Sequence, residues 1–494
     1  MNIVEKIFHI KERKASLKNE ILGGLVTFIA MCYILPLNSS ILSSMGMNQA
    51  GVFAITAIVS FIVTMIMGVV ANYPISLSAG MGLNAYLAYT LASTFPGDRW
   101  QPRMILLTVA GLLFFVFSLT PVRKIIIESI PKNVKYVISA ALGAFICFVG
   151  LKGSGIIAAD SETLVKFGSF ADPAMIIAFL SVVLCLGLTF SKNKWLSQLA
   201  IPIAILFAAI AGVVTSTIMI SNGSIVPVTN AQGVIEYHYA FGEGLKTNLP
   251  IAPWISKATF GMGGVEKVFA FGAFSGYSAS EFGEDLVLVF TQPATYVAIF
   301  SLMFVNLFDT TATLIAVGEK TGIIDENGKM QNYNKAVLAD ATGALICGPM
   351  GTSTVTSFAE SNIAVSMGAK TGLSACVTAT LFLLSAFIYP VFSIFTAGSV
   401  TASALVAVGA IIVVNAVIGI DKSDMIACFT CFVGVMFSIL TYSISNGIGV
   451  SLICYVVMML FAKRHKEINL PIYVITGLFI VSYVLTTLMD VGVF

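Results

Sequence analysis

The sequence predicts an all-α polytopic membrane protein, and three observations carry that prediction. Of its 494 residues, 57% are hydrophobic and only 10% are charged, and the mean hydropathy is +0.96. An average soluble protein is about 25% charged, so this chain has too few polar residues to cover a soluble core. Mostly apolar runs of about 20 residues, the length that crosses a bilayer, recur along it. The composition therefore excludes a soluble enzyme, a disordered chain and a nucleic-acid-binding domain.

The apolar runs form two sets of seven around a polar stretch at 221–285. The first set is predicted at 21–42, 52–71, 75–93, 103–120, 136–157, 174–190 and 197–220. The second set is predicted at 292–317, 336–350, 352–367, 372–396, 398–420, 425–444 and 446–462. One more apolar run, 470–491, follows the basic patch 463–466, and the sequence leaves open whether it crosses the membrane or lies at its surface.

The basic residues predict the orientation of the chain. Lysine and arginine are enriched in cytoplasmic loops. The basic N-terminal segment 1–20 is therefore predicted to be cytoplasmic, together with the even-numbered loops, which carry most of the other basic residues between spans. Arg99 and Arg103 are the exception, because this count places them outside. Seven spans in each half make the second half enter the membrane from the opposite side, which is the inverted repeat common in transporters.

The third span of each half is unlike an ordinary membrane helix. Residues 76–85 read SLSAGMGLNA, and residues 348–357 read GPMGTSTVTS. Both mix glycine with hydroxyl groups, so neither makes a good lipid-facing helix. Matching interrupted segments in the two halves of a transporter are the best sequence pointer to its binding site.

Three acidic residues lie inside predicted spans: Asp309, Asp340 and Glu360. An ionised side chain at the centre of a bilayer costs about 2.5–3.5 kcal/mol, so such residues are functional by default. Asp309 and Thr313 are four residues apart and share a helix face. Glu360 follows a run of hydroxyl residues, where a half-helix could begin. Asp340 fits two interpretations, a functional acid or a structural tie between helices.

Other kinds of partner have little support in the sequence. His9, His238 and His465 lie outside the predicted spans, so we expect no metal site and no cofactor. The net charge of +2 implies no nucleic-acid partner. Membrane lipid is the surrounding medium that the composition demands.

Several motifs resemble signatures of the nucleobase:cation symporter-2 superfamily, and within it the AzgA-type adenine, guanine and hypoxanthine permeases. The motifs are AGMGLNAY at 79–86, FDTTATL at 308–314 and GTSTVTSFAES at 351–361, with further matches at 20–28 and 338–341. The resemblance covers nearly the whole chain. The chain departs from the usual family pattern at Ser39, where a proline is usual, and at Ala312, where a glycine is usual.

The resemblance implies a UraA-like fold of fourteen helices in an inverted 7+7 repeat, with short strands in spans 3 and 10. It implies a core domain at 21–120 and 292–396, a gate domain at 121–220 and 397–462, an extracytoplasmic loop at 221–291, and a basic loop with the extra apolar segment at 463–494. The N-terminal segment would be cytoplasmic and the protein multi-pass in the plasma membrane. A homodimer is one assembly that the sequence leaves open.

The function implied is secondary active import of hypoxanthine, guanine or adenine by cation symport, the cation being a proton, with alternating access. A carboxylate can accept hydrogen bonds from the ring N–H and amino groups of a base, and apolar side chains can cover its ring faces. The expected substrate-binding residues are Asn84, Asp309, Glu360, Leu83, Phe358 and Thr313. The expected proton-coupling residues are Asp309, Glu360 and Asp340. The preferred purine, and sodium as a substitute for the proton, stay open.

Two alternatives are weighed against this hypothesis. An anion transporter of the sulfate-permease type shares the fold but would bind its substrate at half-helix N-termini and avoid a carboxylate there. Glu360 stands at that place. A membrane-embedded enzyme using Asp309 and Glu360 as an acid pair would need a histidine cluster or a Gly-x-Asp signature at these acids, and the sequence shows neither there. We therefore expect a transporter and not an enzyme.

Overall fold

The chain folds into a helical bundle, and its described residues include three small two-stranded sheets, as a computed structural model shows. The structure describes residues 3–92, 94–95, 99–120, 132–160, 162–229, 235–240, 249–250, 279–321, 323, 330–358 and 360–490. Most of the predicted polar stretch 221–285 lies outside these residues.

The helices of the first half begin at the N-terminus and end before the polar stretch. They are α1 (Ile3–Phe8), α2 (Leu17–Met31), α3 (Ile34–Ser43), α4 (Gln49–Ile66), α5 (Met81–Tyr89), α6 (Gln101–Leu119), α7 (Lys132–Gly153), α8 (Pro173–Thr189), α9 (Lys194–Gln198) and α10 (Ala200–Ser221). A turn of π-helix, Met67–Ala71, extends α4.

The second half follows the same general plan and ends with an additional helix. Its helices are α11 (Ala279–Thr291), α12 (Pro293–Thr321), α13 (Tyr333–Met350), α14 (Ser361–Ser366), α15 (Gly372–Ser385), α16 (Tyr389–Phe392), α17 (Gly398–Gly419), α18 (Met425–Leu440), α19 (Ile444–Phe461) and α20 (Leu470–Asp490). The strands are β1 (Leu77–Ala79), β2 (Ile157–Asp160), β3 (Leu164–Phe167), β4 (Ile225–Thr229), β5 (Ile235–Tyr239) and β6 (Val355–Ser357).

Fewer uninterrupted membrane helices are present than the fourteen predicted spans. Among the described residues, six helices are long and apolar enough to cross a membrane, or up to eight if each of two bent pairs is one span. The difference arises because the third and tenth spans are each a strand followed by a short helix, and α8 and α18 have only 17 and 16 residues. The chain is a multi-pass membrane protein, and the count of fourteen stays a prediction.

Helices from the two halves pack on one another in matching pairs. The fourth span packs on the ninth (α6 on α13), and the second packs on the eleventh (α4 on α15). The fifth packs on the twelfth (α7 on α17), where a Cβ added to Gly143 would lie 2.7 Å from the carbonyl oxygen of Gly409. Only glycine permits this close approach of two helix backbones.

Three regions differ from the predicted boundaries. The fifth span was predicted to reach 157, but α7 ends at Gly153 and strand β2 begins at Ile157. The segment 221–291, for which the sequence predicts a loop, contains the hairpin of β4 and β5 and also helix α11. The eleventh span, 372–396, is bent by 95° between α15 and α16. The sequence did not predict helix α11, because acidic residues interrupt its apolar pattern; with the start of α12 it forms one of the two bent pairs.

The charged residues between spans make specific contacts. Nη2 of Arg99 lies 2.9 Å from Oδ2 of the buried Asp285 on α11. Arg99, which the predicted orientation places outside the cytoplasm, is therefore paired with a nearby acid. Arg103 is buried and donates to the carbonyl of Ala88. In the basic loop after α19, Arg464 pairs with Glu467 at 2.7 Å and lowers the pKa of that carboxyl.

Candidate functional site

The two interrupted spans meet as a pair of short strands inside the helical bundle. β1 and β6 run antiparallel, with Leu77 opposite Ser357 and Ala79 opposite Val355. Two more backbone bonds extend the pair, from the amide of Gly80 to the carbonyl of Thr354 at 2.9 Å and from the amide of Phe358 to the carbonyl of Ser76 at 3.1 Å. All residues of both strands are buried, so their backbone groups satisfy one another where water is absent.

Four of the six predicted binding residues follow these strands directly. α5 begins two residues after β1 and carries Leu83 and Asn84, which are 2% and 1% exposed. Phe358 and Glu360 come between β6 and α14, and Phe358 is also buried. Because the strands are antiparallel, α5 and α14 leave the pair in opposite directions. Leu83 and Asn84 therefore follow one end of the strand pair, and Phe358 and Glu360 follow the other.

Glu360 receives a hydrogen bond that the sequence analysis missed. The hydroxyl of Tyr33 donates to Oε1 of Glu360 at 3.0 Å. Tyr33 lies in the break between α2 and α3. Pro36 explains the break, because it has no N–H for the carbonyl of Cys32 and its ring crowds that carbonyl. This proline, three residues after a tyrosine in an apolar span, was the available signal.

Asn84 belongs to a buried network of neutral polar side chains. Its Nδ2 donates to Oδ1 of Asn38 on α3 at 3.1 Å. The Asn38 amide also contacts three hydroxyls, those of Thr56, Thr352 and Ser353, at 2.9, 3.0 and 2.8 Å. The network joins the first, second, third and tenth predicted spans. Of these partners, Asn38 stood out in the sequence only as a lone amide in an apolar run.

Asp340 is fully buried on α13 and ties two neighbouring elements together. Its Oδ1 accepts from the hydroxyl of Thr310 on α12 at 2.7 Å and from that of Ser357 on β6 at 3.4 Å. The hydroxyl of Thr313 donates to the carbonyl of Ser357 at 3.2 Å. Thr313 therefore joins α12 to the strand pair.

Asp309, the remaining predicted acid, lies on α12 beside Thr310 in sequence and one helical turn before Thr313. Its side chain lies outside the described residues, so the structure neither places it in the site nor removes it. Its helix does reach the strand pair, since Thr313 contacts Ser357.

The arrangement offers hydrogen-bonding groups and apolar surface to a flat polar molecule. Glu360 offers carboxylate oxygens, Asn84 offers an amide, and Leu83 and Phe358 offer apolar surface. Two broken spans meet at the centre of this helical membrane bundle and carry acidic residues. This combination of fold and site is that of a membrane transporter.

Comparison with known proteins narrows this class. A model described as Permease family matches residues 18–439. The guanine/hypoxanthine permease PbuO of Bacillus subtilis (strain 168) is 32% identical over 478 residues, which are 96% of this chain and 99% of PbuO. The adenine permease AdeQ of Escherichia coli (strain K12) is 28% identical over 482 residues, which are 98% of this chain and 96% of AdeQ.

A solved structure supports the fold independently. The transmembrane domain of the cyanobacterial bicarbonate transporter BicA matches with a TM-score of 0.57 at 14% identity, covering 87% of this chain and 97% of that domain. At this identity the match concerns the fold alone. The chain belongs to the permease family that the model describes, the nucleobase:cation symporter-2 family, so the resemblance seen in its motifs is confirmed. Its members are transporters and not enzymes.

Proposed function

We propose that this protein imports purine nucleobases, namely hypoxanthine, guanine or adenine, by proton symport with alternating access. The observation that carries the proposal is the carboxyl of Glu360, held by Tyr33 beside the strand pair that also presents Asn84. Relatives named as guanine/hypoxanthine and adenine permeases, aligned over nearly the full chain, support the same substrate class.

The substrate would bind between α5, α12 and the start of α14. Glu360 and Asp309 would accept from ring N–H or amino groups, and each such charge-assisted bond contributes roughly 1.5–3 kcal/mol. Asn84 would supply a third polar contact. Leu83 and Phe358 would cover the ring, with Thr313 at the margin of the site. A site built this way rejects analogues that leave its buried groups unpaired.

Coupling would use the same acids. If the base binds only one protonation state of Asp309 or Glu360, proton and base must cross together. Moving one proton charge through 100 mV releases about 2.3 kcal/mol, which corresponds to roughly a 50-fold concentration gradient. Asp340 is a further candidate, and its hydrogen bonds to Thr310 and Ser357 favour a structural contribution.

The proposed architecture is the fourteen-span inverted repeat with a core and a gate domain. The matching packing of the fourth span on the ninth and the second on the eleventh supports it, since an inverted repeat interconverts these two pairs. Movement of the core against the gate would expose the site to each side in turn. The protein would lie in the plasma membrane, with its basic N-terminal segment in the cytoplasm.

Anion transport is the second candidate, because the fold resembles that of a bicarbonate transporter. Glu360 opposes it. An ionised carboxylate immediately before α14 would repel an anion approaching the N-terminus of that helix, where such transporters bind their substrate.

Uptake of radiolabelled hypoxanthine, guanine, adenine, uracil and sulfate, with and without a protonophore, tests the proposal. Cells lacking their own purine permeases would express the wild type and the variants Asp309→Asn and Glu360→Gln. Glu162→Gln, at an exposed position, is the matched control. We expect protonophore-sensitive purine uptake that both site variants lose and the control keeps. Sulfate uptake, or purine accumulation by both site variants, would contradict the proposal.

A further inference from the structure

We propose that Thr56 and Asn38 determine which purines are accepted, because together they hold the Asn84 amide with its oxygen facing the base. This inference rests on the proposed function and deepens it. It assigns a specificity role to two side chains that do not touch the substrate. The chain of hydrogen bonds that orients Asn84 starts at the backbone carbonyl of Val52, which can only accept a hydrogen bond.

The first link is the hydroxyl of Thr56, which has one hydrogen to give. It donates that hydrogen to the carbonyl of Val52, one turn earlier on α4, at 2.6 Å. A carbonyl can only accept, so the direction of this bond is settled. Towards its other neighbours, Asn38 at 2.9 Å and Thr352 at 2.8 Å, the Thr56 oxygen can therefore only accept.

The second link is the Asn38 amide, which must turn its nitrogen towards Thr56. The same nitrogen donates to Thr352 at 3.0 Å, and the Thr352 hydroxyl keeps its hydrogen for Thr56. The oxygen of Asn38 then faces the opposite way, where it accepts from Ser353 at 2.8 Å and from Asn84 at 3.1 Å. Asn38 is fully buried, and all four of its hydrogen-bonding positions are used.

The third link is Asn84. Its nitrogen is engaged by Asn38, so its Oδ1 is the atom left to face outward from the network. That oxygen is buried, and within the described part of the chain it accepts no hydrogen bond. A buried acceptor without a donor is costly, so a ligand N–H or amino group is the partner that satisfies it.

The consequence is that the site selects between bases by the group that faces Oδ1 of Asn84. At the ring position that faces Asn84, an amino group or ring N–H completes the network. A carbonyl at the same position would set two oxygens against each other and leave both unpaired. The site should therefore prefer an aminopurine to the oxopurine that carries a carbonyl at that position.

Two pairs of bases report on this selection. Guanine and xanthine differ by amino against oxo at C2, with an added hydrogen on N3 of xanthine. Adenine and hypoxanthine differ by amino against oxo at C6, with an added hydrogen on N1 of hypoxanthine. Inhibition constants of all four bases against labelled purine uptake give one selectivity ratio for each pair. A ratio measured in one membrane preparation does not depend on how much protein each variant expresses.

Thr56→Val removes the fixed donor–acceptor direction with little change in volume. Asn38 can then turn either way, and Asn84 presents nitrogen as well as oxygen. We expect one of the two ratios to fall about tenfold, equivalent to about 1.4 kcal/mol. Asn38→Ala, which frees Asn84 directly, should lower the same ratio if Thr56→Val does not fold.

Two matched controls separate this role from general damage to the network. Thr56→Ser restores the hydroxyl and should keep both ratios. Thr352→Val removes a neighbouring hydroxyl but leaves the link from Val52 through Thr56 to Asn38, so it should also keep both. The inference is overturned if Thr56→Val and Asn38→Ala keep the wild-type ratios, or if Thr352→Val changes them equally. Purine uptake with unchanged ratios would overturn this inference alone, whereas a wild type that takes up no purine would overturn the proposed function as well.

Discussion

The Tyr33 hydroxyl donates to Oε1 of Glu360 at 3.0 Å, joining the break in the first membrane span to the start of the half-helix in the tenth. Tyr33 is 4% exposed. A carboxylate held at one oxygen presents the other in a fixed direction, so this contact orients the acid that we assign to purine binding.

Changing Tyr33 to Phe should weaken purine binding without destroying the site. The ring stays, but the bond to the carboxylate is lost, and hydrogen bonds to charged groups contribute about 1.5–3 kcal/mol. We expect the KM for hypoxanthine uptake to rise at least about tenfold, with a much smaller change in maximal rate. Tyr296→Phe, at an exposed position on α12, is the control. An unchanged KM in Tyr33→Phe would show that the contact does not orient Glu360 for binding.

Asp340 should tolerate Asn better than Ala. Asn keeps an oxygen that can accept from the buried hydroxyl of Thr310, whereas Ala leaves that hydroxyl without its 2.7 Å partner. We expect Asp340→Ala to lower the free energy of unfolding by about 1–3 kcal/mol and Asp340→Asn to lower it far less. Thermal denaturation of the purified protein in detergent measures both. Equal destabilisation would argue that the charge itself is required.

Glu20 on α2 acts as a cap for a different helix. Its carboxylate accepts from the backbone amides of Lys370, Thr371 and Ser374, at 2.7, 3.0 and 3.2 Å, at the start of α15. Lost helix caps cost about 0.5–2 kcal/mol. Glu20→Ala should therefore destabilise by about 2 kcal/mol, with Glu20→Gln in between because one acceptor oxygen remains. Hydrogen exchange at the first turn of α15 should rise in the same order, and unchanged exchange in Glu20→Ala would refute the capping role.

Two glycine-to-alanine changes should have opposite effects. At Gly143 the new Cβ would lie 2.7 Å from the carbonyl oxygen of Gly409, so α7 and α17 must separate. Overpacking of this kind costs about 1–3 kcal/mol. At Gly187 on α8 nothing lies within 4 Å, and alanine stabilises a helix by about 1 kcal/mol relative to glycine. Denaturation midpoints should fall for Gly143→Ala and rise for Gly187→Ala. Shifts of the same sign would contradict the packing described between α7 and α17.

The membrane class and the burial of Asp340 were predictable because each depends on local properties of the chain. The apolar composition indicates a lipid environment. Because burying a charge in lipid is costly, acidic residues inside apolar runs, such as Glu360 and Asp340, are conspicuous in the sequence itself. The glycine and hydroxyl pattern at 76–85 and 348–357 marked the two broken spans for the same reason. The rule that a membrane helix needs about 20 apolar residues was less informative, because the third and tenth spans are each a strand followed by a short helix.

Contacts between distant parts of the chain were not predictable from one sequence. Tyr33 and Glu360 are 327 residues apart, and Asn38 and Thr352 are 314 residues apart. No periodicity relates such positions, and only the packing of the first span against the tenth brings them together. Helix α11 was missed for a different reason, since its acidic residues hide an apolar face that packs on α6.

The most direct test of the central claim is equilibrium binding of tritiated hypoxanthine to the purified protein, measured by scintillation proximity for the wild type and for Glu360→Gln. Losing one charge-assisted hydrogen bond of about 1.5–3 kcal/mol weakens binding about 10- to 100-fold. We predict saturable binding to the wild type that excess guanine displaces and sulfate does not, and a loss of that size in Glu360→Gln. Equal affinity in both proteins, or displacement by sulfate, would contradict the assignment of this carboxyl to a purine site.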